Sequence, residues 1–340
     1  MRRKSKKAVS PRCIDLFAGA GGLSLGLERA GWHSSLAIDS DPWATRTYKA
    51  NFPRAEVFDG DVRTVDFSKW KGRVDLVAGG PPCQPFSVAG SQQSYEDVRD
   101  MLPQFVRAVR EIRPKAFLME NVSGLAGARH GEYLERTTKK LAGLGYAVAI
   151  QVLNAADYGV PQDRLRLFIV GLRGGDKFIF PRPTHGPGTR RHFQTAAEAL
   201  MHVPHDEPNR AIVTYAKKPV LRPSPWAGML VNGGGRPINL REPSQTIPAS
   251  AGGNRTHIVD KQGVLVDYHE YLMRGGKPHQ GTVKGVRRLT VRESARIQSF
   301  PDEFNFLGTR SACYRQVGNA VPPLLAEAVG RAVLVSLKNV

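Results

Sequence analysis

Over the first half of the chain, short apolar runs rich in branched residues alternate with stretches of helical spacing, and that alternation sets the expected architecture. Runs at 12–17, 34–38, 74–78, 116–120, 146–152 and 167–171 read as buried strands, with a further strand ahead of Gly60. Val98, Met101, Leu102, Phe105, Val109 and Ile112 recur at helical spacing and predict a helix over 98–112, stopped by Pro114. A second is predicted over 133–144, stopped by Gly145. Such alternation predicts an α/β fold: a Rossmann-like, mostly parallel sheet with helices on both faces.

The pattern changes at Arg173. Residues 173–288 hold half of the 24 prolines and 15 of the 35 glycines, and helical periodicity almost disappears. This stretch reads as a smaller domain of loops and short strands; a long irregular insertion is the plain alternative. Regular patterning resumes after Leu289, with helices expected over 291–299 and 319–337, the second apolar on most faces and packing back on the first domain's sheet. The resulting division is a basic flexible tail (1–11), a catalytic and cofactor-binding domain (12–172), the loop-rich domain (173–288) and a return to the first domain (289–340).

Charge narrows the partners. Lys and Arg outnumber Asp and Glu by 49 to 30, a net +19 in 340 residues, and more than half of the excess lies in 173–288. A surface of that sign seeks polyanions. With 41% hydrophobic residues the chain has a core to bury, and its length favours two domains. The stretch 13–27 is cut by glycines and acids, and no run approaches 18 apolar residues, so neither a signal peptide nor a membrane span is expected. Cys13, Cys83 and Cys313 are odd in number and widely spaced. They fit no disulfide framework and no metal site, and read as reduced thiols in a cytoplasmic protein.

Asp15-Leu16-Phe17-Ala18-Gly19-Ala20-Gly21-Gly22 links the first strand to the first helix, where α/β sheets hold nucleotide-like ligands. A dinucleotide fingerprint would place its third glycine at Ser24, so a ligand without a pyrophosphate, such as S-adenosylmethionine, fits better. Asp39 at the end of the second strand is placed for ribose hydroxyls, and Asp61 after the third for an adenine amine. A tight turn with two solvated acids is the plain alternative.

Gly79-Gly80-Pro81-Pro82-Cys83-Gln84-Pro85-Phe86-Ser87 follows the fourth strand. A cysteine fixed by prolines at a ligand-facing strand end reads as a nucleophile, where a lone cysteine elsewhere reads as a small buried hydrophobe. The next strand brings Glu120 to the same rim, either as general acid or as half of a salt bridge. In Gln162-Asp163-Arg164-Leu165-Arg166, strand alternation sends Arg164 and Arg166 to one side, where both can pair Glu120; a surface salt-bridge ladder is the alternative. The run 87–95 reads as a mobile loop able to close over a base. Gly233-Gly234-Gly235-Arg236 reads as a loop able to approach from the other groove, with a plain hairpin turn as the alternative, and the segment 246–257, with Ser250, Asn254, Arg255 and His257, carries groups suited to base edges.

The ordered set formed by the glycine turn, Pro82-Cys83-Gln84, Glu120-Asn121-Val122, Gln162-x-Arg164-x-Arg166, Arg292-Glu293-x-Ala295-Arg296-x-Gln298-x-Phe300-Pro301 and Gly318-Asn319-Ala320-Val321-Pro322 resembles the C5-cytosine DNA methyltransferases. The resemblance runs from residue 12 to about 330. It implies transfer of a methyl group from S-adenosylmethionine, leaving S-adenosylhomocysteine, to carbon 5 of a flipped-out cytosine in double-stranded DNA, with 173–288 as target-recognition domain. Cys83 is then the nucleophile, Glu120 the acid at the base, and Arg164 and Arg166 its supporting cations. The cofactor falls to Phe17, Ala18, Gly19, Gly21, Gly22, Asp39, Asp61, Gly80, Pro82, Asn319 and Ala320, with Phe17 stacking on adenine. DNA contacts fall to Gln84, Ser87, Arg236, Asn254 and Arg255. Ser40 stands where relatives often place an aromatic residue against the adenine. A monomeric prokaryotic modification enzyme, paired with a restriction endonuclease acting on the same site, is the implied context. An RNA cytosine-5 methyltransferase built on the same catalytic motifs is the nearest alternative, and a non-catalytic DNA-binding module or nicotinamide enzyme a more distant one.

Overall fold

The computed structural model describes residues 10–82, 100–128, 130–204 and 206–338. By contacts the chain forms two compact units. The first comprises residues up to Leu153, 165–182 and 325 onward; the second comprises 154–164 and 183–324.

Seven strands form the sheet of the first unit: β1 (Arg12–Leu16), β2 (His33–Asp39), β3 (Glu56–Asp59), β4 (Leu76–Gly79), β5 (Ala116–Val122), β6 (Tyr146–Asn154) and β7 (Leu165–Arg173), in the order β3-β2-β1-β4-β5-β7-β6. Pairings from β3 through β5 are parallel. The one departure from parallel order among these pairings is β7, which runs antiparallel to β5 with Glu120 opposite Phe168 and Val122 opposite Arg166. A short link without a full crossover helix separates β6 from β7, and parallel neighbours would need such a helix.

Alternation along the strands sends Ile14, Leu16, Phe117, Met119, Leu167 and Ile169 into one apolar cluster with Phe105, Val109 and Ile112 of α3 (Leu102–Ile112) and Leu134 and Leu141 of α4 (Gly131–Gly143). Asp15 points to the other face, toward Ser24 of α1 (Gly22–Ala30), which also meets Tyr48 of α2 (Pro42–Asn51). α2 starts on Asp41, whose side chain accepts from Trp43 N–H, with Pro42 in the first turn.

The second unit is built from short pieces: α5 (Ala196–Ala199), the pair β8 (Tyr215–Val220) and β9 (Met229–Val231), the pair β10 (Ile258–Asp260) and β11 (Val286–Arg288), α6 (Val264–Met273), α7 (Val291–Ile297) and α8 (Arg310–Asn319). Val213, Leu230, Leu265 and Leu272 belong to its small core. α6 is a helix where periodicity predicted almost none.

Two expectations about the C-terminal part need correction. The return to the first unit comes at Leu325 and not at 289, because α7 and α8 pack on each other within the second unit. The helix expected over 319–337 is two helices. Asn319 closes α8, Ala320 is extended (ψ 145°), and α9 (Pro323–Lys338) starts after Pro322, since prolines drive the residues before them out of helical geometry. α9 packs on α1: Trp32 Nε1–H donates to Gly330 O at 3.0 Å, and a Cβ at Gly330 would lie 2.8 Å from Leu27. By length and composition alone Arg310–Lys338 would suffice to cross a membrane, a property that core helices share; the break at Ala320 divides it, and Leu325, Ala326, Val329 and Val333 of α9 are fully buried.

Candidate active site

The glycine turn is a constrained piece of backbone. Phe17 has φ 59°, a left-handed conformation rare for a bulky residue, and Gly19 (φ 55°) and Gly21 (φ 95°) continue it. Gly21 caps α1, and a Cβ there would lie 2.4 Å from the Phe52 ring, so only glycine fits. Ala18 N–H donates to Ile38 O at 3.0 Å and Gly19 N–H to Asp39 Oδ2 at 2.8 Å, which pins the turn to the end of β2. Asp39 Oδ1 accepts from Asp41 N–H, and burial lifts its carboxyl above the usual range. Behind the turn, Asp15 accepts from the Ser24 hydroxyl at 2.6 Å, and burial pushes its carboxyl up to about 7.

In front of the turn lies a pocket of about 340 Å³, within the range of ligand sites. Phe17, Ile38, Val62, Pro82 and Met101 give it apolar walls; Asp39, Ser40 and Asp61 supply acceptors. Thus Phe17, Asp39, Asp61 and Pro82 converge as expected, while Ala18, Gly19, Gly21 and Gly22 form the adjoining turn. Sequence reasoning missed Arg63, whose guanidinium binds Asp61 Oδ2 and holds that carboxyl below its usual range, and Met101 and Val62, which carry only the generic signal of apolar residues beside a strand end. Asp61 is therefore shared with Arg63, and the site first read for an adenine amine already has one cation on it.

On the opposite side of β1, Gly79 ends β4 where a Cβ would lie 2.3 Å from Leu16 O. Gly80, Pro81 and Pro82 follow, and Asn121 Nδ2–H donates to Pro81 O at 2.9 Å, tying this loop to the end of β5. Cys83, Gln84, Ser87 and the proposed closing loop 87–95 lie outside the described residues. Glu120 is buried at the same rim: Arg166 Nε pairs Oε1 at 2.9 Å, and the Cβ position of Gly80 is 3.1 Å from Oε2. Burial lowers the Arg166 pKa, with Glu120 opposing that shift.

The two arginines do not share a task. Arg166 makes the ion pair with Glu120, whereas Arg164 precedes β7, belongs to the second unit and is 2% exposed. Its guanidinium donates to Ile247 O (3.0 Å), Gly318 O (2.7 Å) and Ala320 O (3.1 Å), straddling Asn319. Strand alternation does not apply to Arg164 because the strand begins only at Leu165. Gln162 extends the same bracing, donating from Nε2 to Gln298 Oε1 and accepting Ile247 N–H on Oε1. Asn319 and Ala320 are thus held within the second unit.

Arg236, Asn254 and Arg255 are exposed on two loops of the second unit that meet directly: a Cβ at Gly233 would lie 2.2 Å from Asn254 O. His257, read as a base-edge donor, is buried with Nε2 3.1 Å from Thr246 O, and burial holds its pKa down.

The model of the family C-5 cytosine-specific DNA methylase matches residues 11–334. This chain belongs to that family. It is 38% identical to Type II methyltransferase M1.HphI of Haemophilus parahaemolyticus over 94% of this chain and 86% of that protein. It is 35% identical to Type II methyltransferase M.NgoMIV of Neisseria gonorrhoeae over 96% and 98%. A crystal structure of a putative DNA modification methyltransferase encoded within an E. coli prophage shares the fold, with TM-score 0.69, 24% identity and coverage of 97% and 100%. The enzyme is a DNA (cytosine-5-)-methyltransferase with a Rossmann-like α/β catalytic sheet, and family membership implies use of S-adenosylmethionine. The RNA alternative gives way to DNA on the family match.

Proposed function

We propose that the pocket in front of the glycine turn binds S-adenosylmethionine and that the rim formed by Gly80, Pro82 and Glu120 is where the cytosine reacts. The donor set fits the cofactor: apolar walls for a flat adenine beside Phe17, two carboxylates for hydroxyl and amine hydrogens, and a glycine turn that leaves the backbone open to close approach. Phe17 stacks on adenine, Asp39 accepts from ribose hydroxyls, and Asp61 shares its acceptor capacity between Arg63 and the adenine amine. Ala18, Gly19, Gly21, Gly22, Gly80, Asn319 and Ala320 complete the cofactor set. When bound, the cofactor supplies a sulfonium methyl group as electrophile.

Cys83, as thiolate, adds to carbon 6 of a cytosine withdrawn from the duplex. Glu120 delivers a proton toward N3, so negative charge does not accumulate on the ring and carbon 5 becomes nucleophilic. After methylation a base removes the carbon 5 proton and Cys83 is expelled. Arg166 orients Glu120 through their ion pair, and Arg164 braces the Gly318–Ala320 backbone. Gln84, Ser87, Arg236, Asn254 and Arg255 contact DNA, the last three from within a target-recognition domain spanning 173–288. The enzyme acts in the cytoplasm as a monomer, beside a restriction endonuclease that cuts the same unmethylated site.

The observation that carries this reading is Glu120, a buried carboxyl paired with the Arg166 guanidinium at the strand end beside Gly80. Incubating the enzyme and S-adenosylmethionine with random-sequence duplexes containing 5-fluorocytosine tests it, because fluorine at carbon 5 cannot leave as a proton does. A permanent adduct on the peptide containing Cys83 is expected. Cys83→Ser abolishes both adduct and turnover, and Glu120→Gln slows turnover by about 10²- to 10⁴-fold. Undiminished methylation by Cys83→Ser overturns the assignment.

A further inference from the structure

Arg288 ends β11 opposite Ile258 of β10 and is 1% exposed, one of the two largest fully buried side chains among the described residues. Its guanidinium spans two loops. Nη1–H donates to Thr256 O at 2.9 Å, and Nη2–H donates to Asn232 O at 3.0 Å and Asn232 Oδ1 at 2.7 Å. Asn232 opens the turn that leads to Arg236; Thr256 closes the turn that carries Asn254 and Arg255.

The spacing that this fork sets has little slack. A Cβ at Gly235 would lie 2.1 Å from Thr256 O and 2.6 Å from Arg288 Nη1, and one at Gly233 would lie 2.2 Å from Asn254 O. Asn232 is itself fixed, with Oδ1 accepting from Thr214 N–H and Nδ2–H donating to Ile212 O. On the far side, Asn209 Nδ2 reaches Thr256 Oγ1 at 3.2 Å. The paired strands anchor Arg288 at its backbone, and its rigid planar fork reaches acceptors on both loops at once, which a single ammonium does not.

We propose that Arg288 is a positioning residue that fixes the register between the two DNA-facing loops and so sets how sharply the enzyme separates its preferred sequence from sequences one base pair away. The proposal rests on the reading of Arg236, Asn254 and Arg255 as DNA contacts. Arg288 acts from behind the loops and touches no DNA, so its effect is on selectivity and on binding of the preferred duplex, not on the chemical step.

The test uses the full-length enzyme, S-adenosylmethionine and a pool of random-sequence duplex DNA, with cytosine methylation read by bisulfite sequencing at limiting conversion. The quantity measured is the ratio of methylation at the preferred sequence to that at its one-base-pair neighbours, taken inside one sample and therefore independent of how much of a variant is folded. Arg288→Lys and Arg288→Met are expected to lower that ratio by about tenfold, the scale of one misplaced bidentate contact. They should also raise KM for a duplex of the preferred sequence while leaving kcat per active enzyme unchanged. Arg236→Ala and Asn254→Ala serve as direct-contact comparisons and should also lower the ratio. If these two lower it and the Arg288 variants keep the wild-type value, the positioning role is overturned and the loop reading stands. If Arg236→Ala and Asn254→Ala leave it unchanged, the loop reading falls and the proposal with it. Should Arg288→Met fail to fold, Arg288→Lys decides alone, and an unchanged ratio overturns the role.

Discussion

The two units hold their functional side chains by different means. In the first, Asp39 and Glu120 sit at the ends of strands whose inward residues fill a large apolar cluster, and the main-chain polar groups are spent on the ladder between strands. The second unit has only short two-stranded pairings, so many carbonyls find no ladder partner. Long polar side chains take them up. Arg164 serves Ile247, Gly318 and Ala320; Arg288 serves Thr256 and Asn232; Gln298 serves Val317; and Arg296 serves Met201 and His202. A buried arginine in such a unit is first a strut, and a chemical role needs further support.

Removing one strut should therefore cost as much as opening a hole in the apolar core, and in a different place. Arg164→Met leaves three carbonyls without that donor, each at about 1–3 kcal/mol, and is expected to be the most damaging single change. Hydrogen exchange should quicken around 247–249 and 318–320 while amides of β1, β4 and β5 keep their protection. Phe105→Ala is the mirror experiment, losing about 3–5 kcal/mol of stability with faster exchange in α3 and β5 and little change in the second unit. Equal loss of protection in both units for either variant would erase the distinction.

A smaller and pH-dependent effect sharpens the same contrast, because a large core can bury a carboxyl that pairs with no cation. Asp15 has its carboxyl raised from 3.8 to about 7 by burial, so the folded chain keeps a proton that the unfolded chain gives up. Its contribution is fully present below about pH 4 and is lost as pH rises toward about 7. Asp15→Asn removes that loss. Its unfolding free energy, measured by denaturant titration, should gain on the wild type between pH 5 and pH 8, by on the order of a few kcal/mol at the upper end. Parallel pH profiles for the two proteins would show that Asp15 does not titrate in this interval.

Periodicity made the first unit legible because its strands are buried on both faces and its helices present one apolar stripe each. The six apolar runs read as buried strands have counterparts in β1, β2, β4, β5, β6 and β7, and the two clearest helical patterns in α3 and α4. What periodicity does not carry is direction: nothing in the β7 residues says that they run opposite to β5. The second unit was legible only by composition, since a structure strapped by arginine and glutamine leaves no repeat to read. α6 escaped notice for that reason, as did the break at Ala320, although the paired prolines after Val321 were its physical signal. In the site, residue types at strand ends pointed correctly to the convergence of Phe17, Asp39, Asp61 and Pro82. The division of labour between Arg164 and Arg166 was not legible, because it depends on where β7 begins.

The interleaving of the units along the chain constrains how the protein can be made. α9, which covers α1 through Trp32 and Leu27, begins only at Pro323, after nearly every residue of the second unit. On the ribosome, the flank of α1 waits uncovered while the other unit is translated, and a release before that point leaves this apolar flank open to aggregation or proteolysis. Truncations that spare every catalytic motif but remove the last turns of α9 should for this reason be poorly soluble, and transplanting the recognition segment from a relative must preserve the timing as well as the ends.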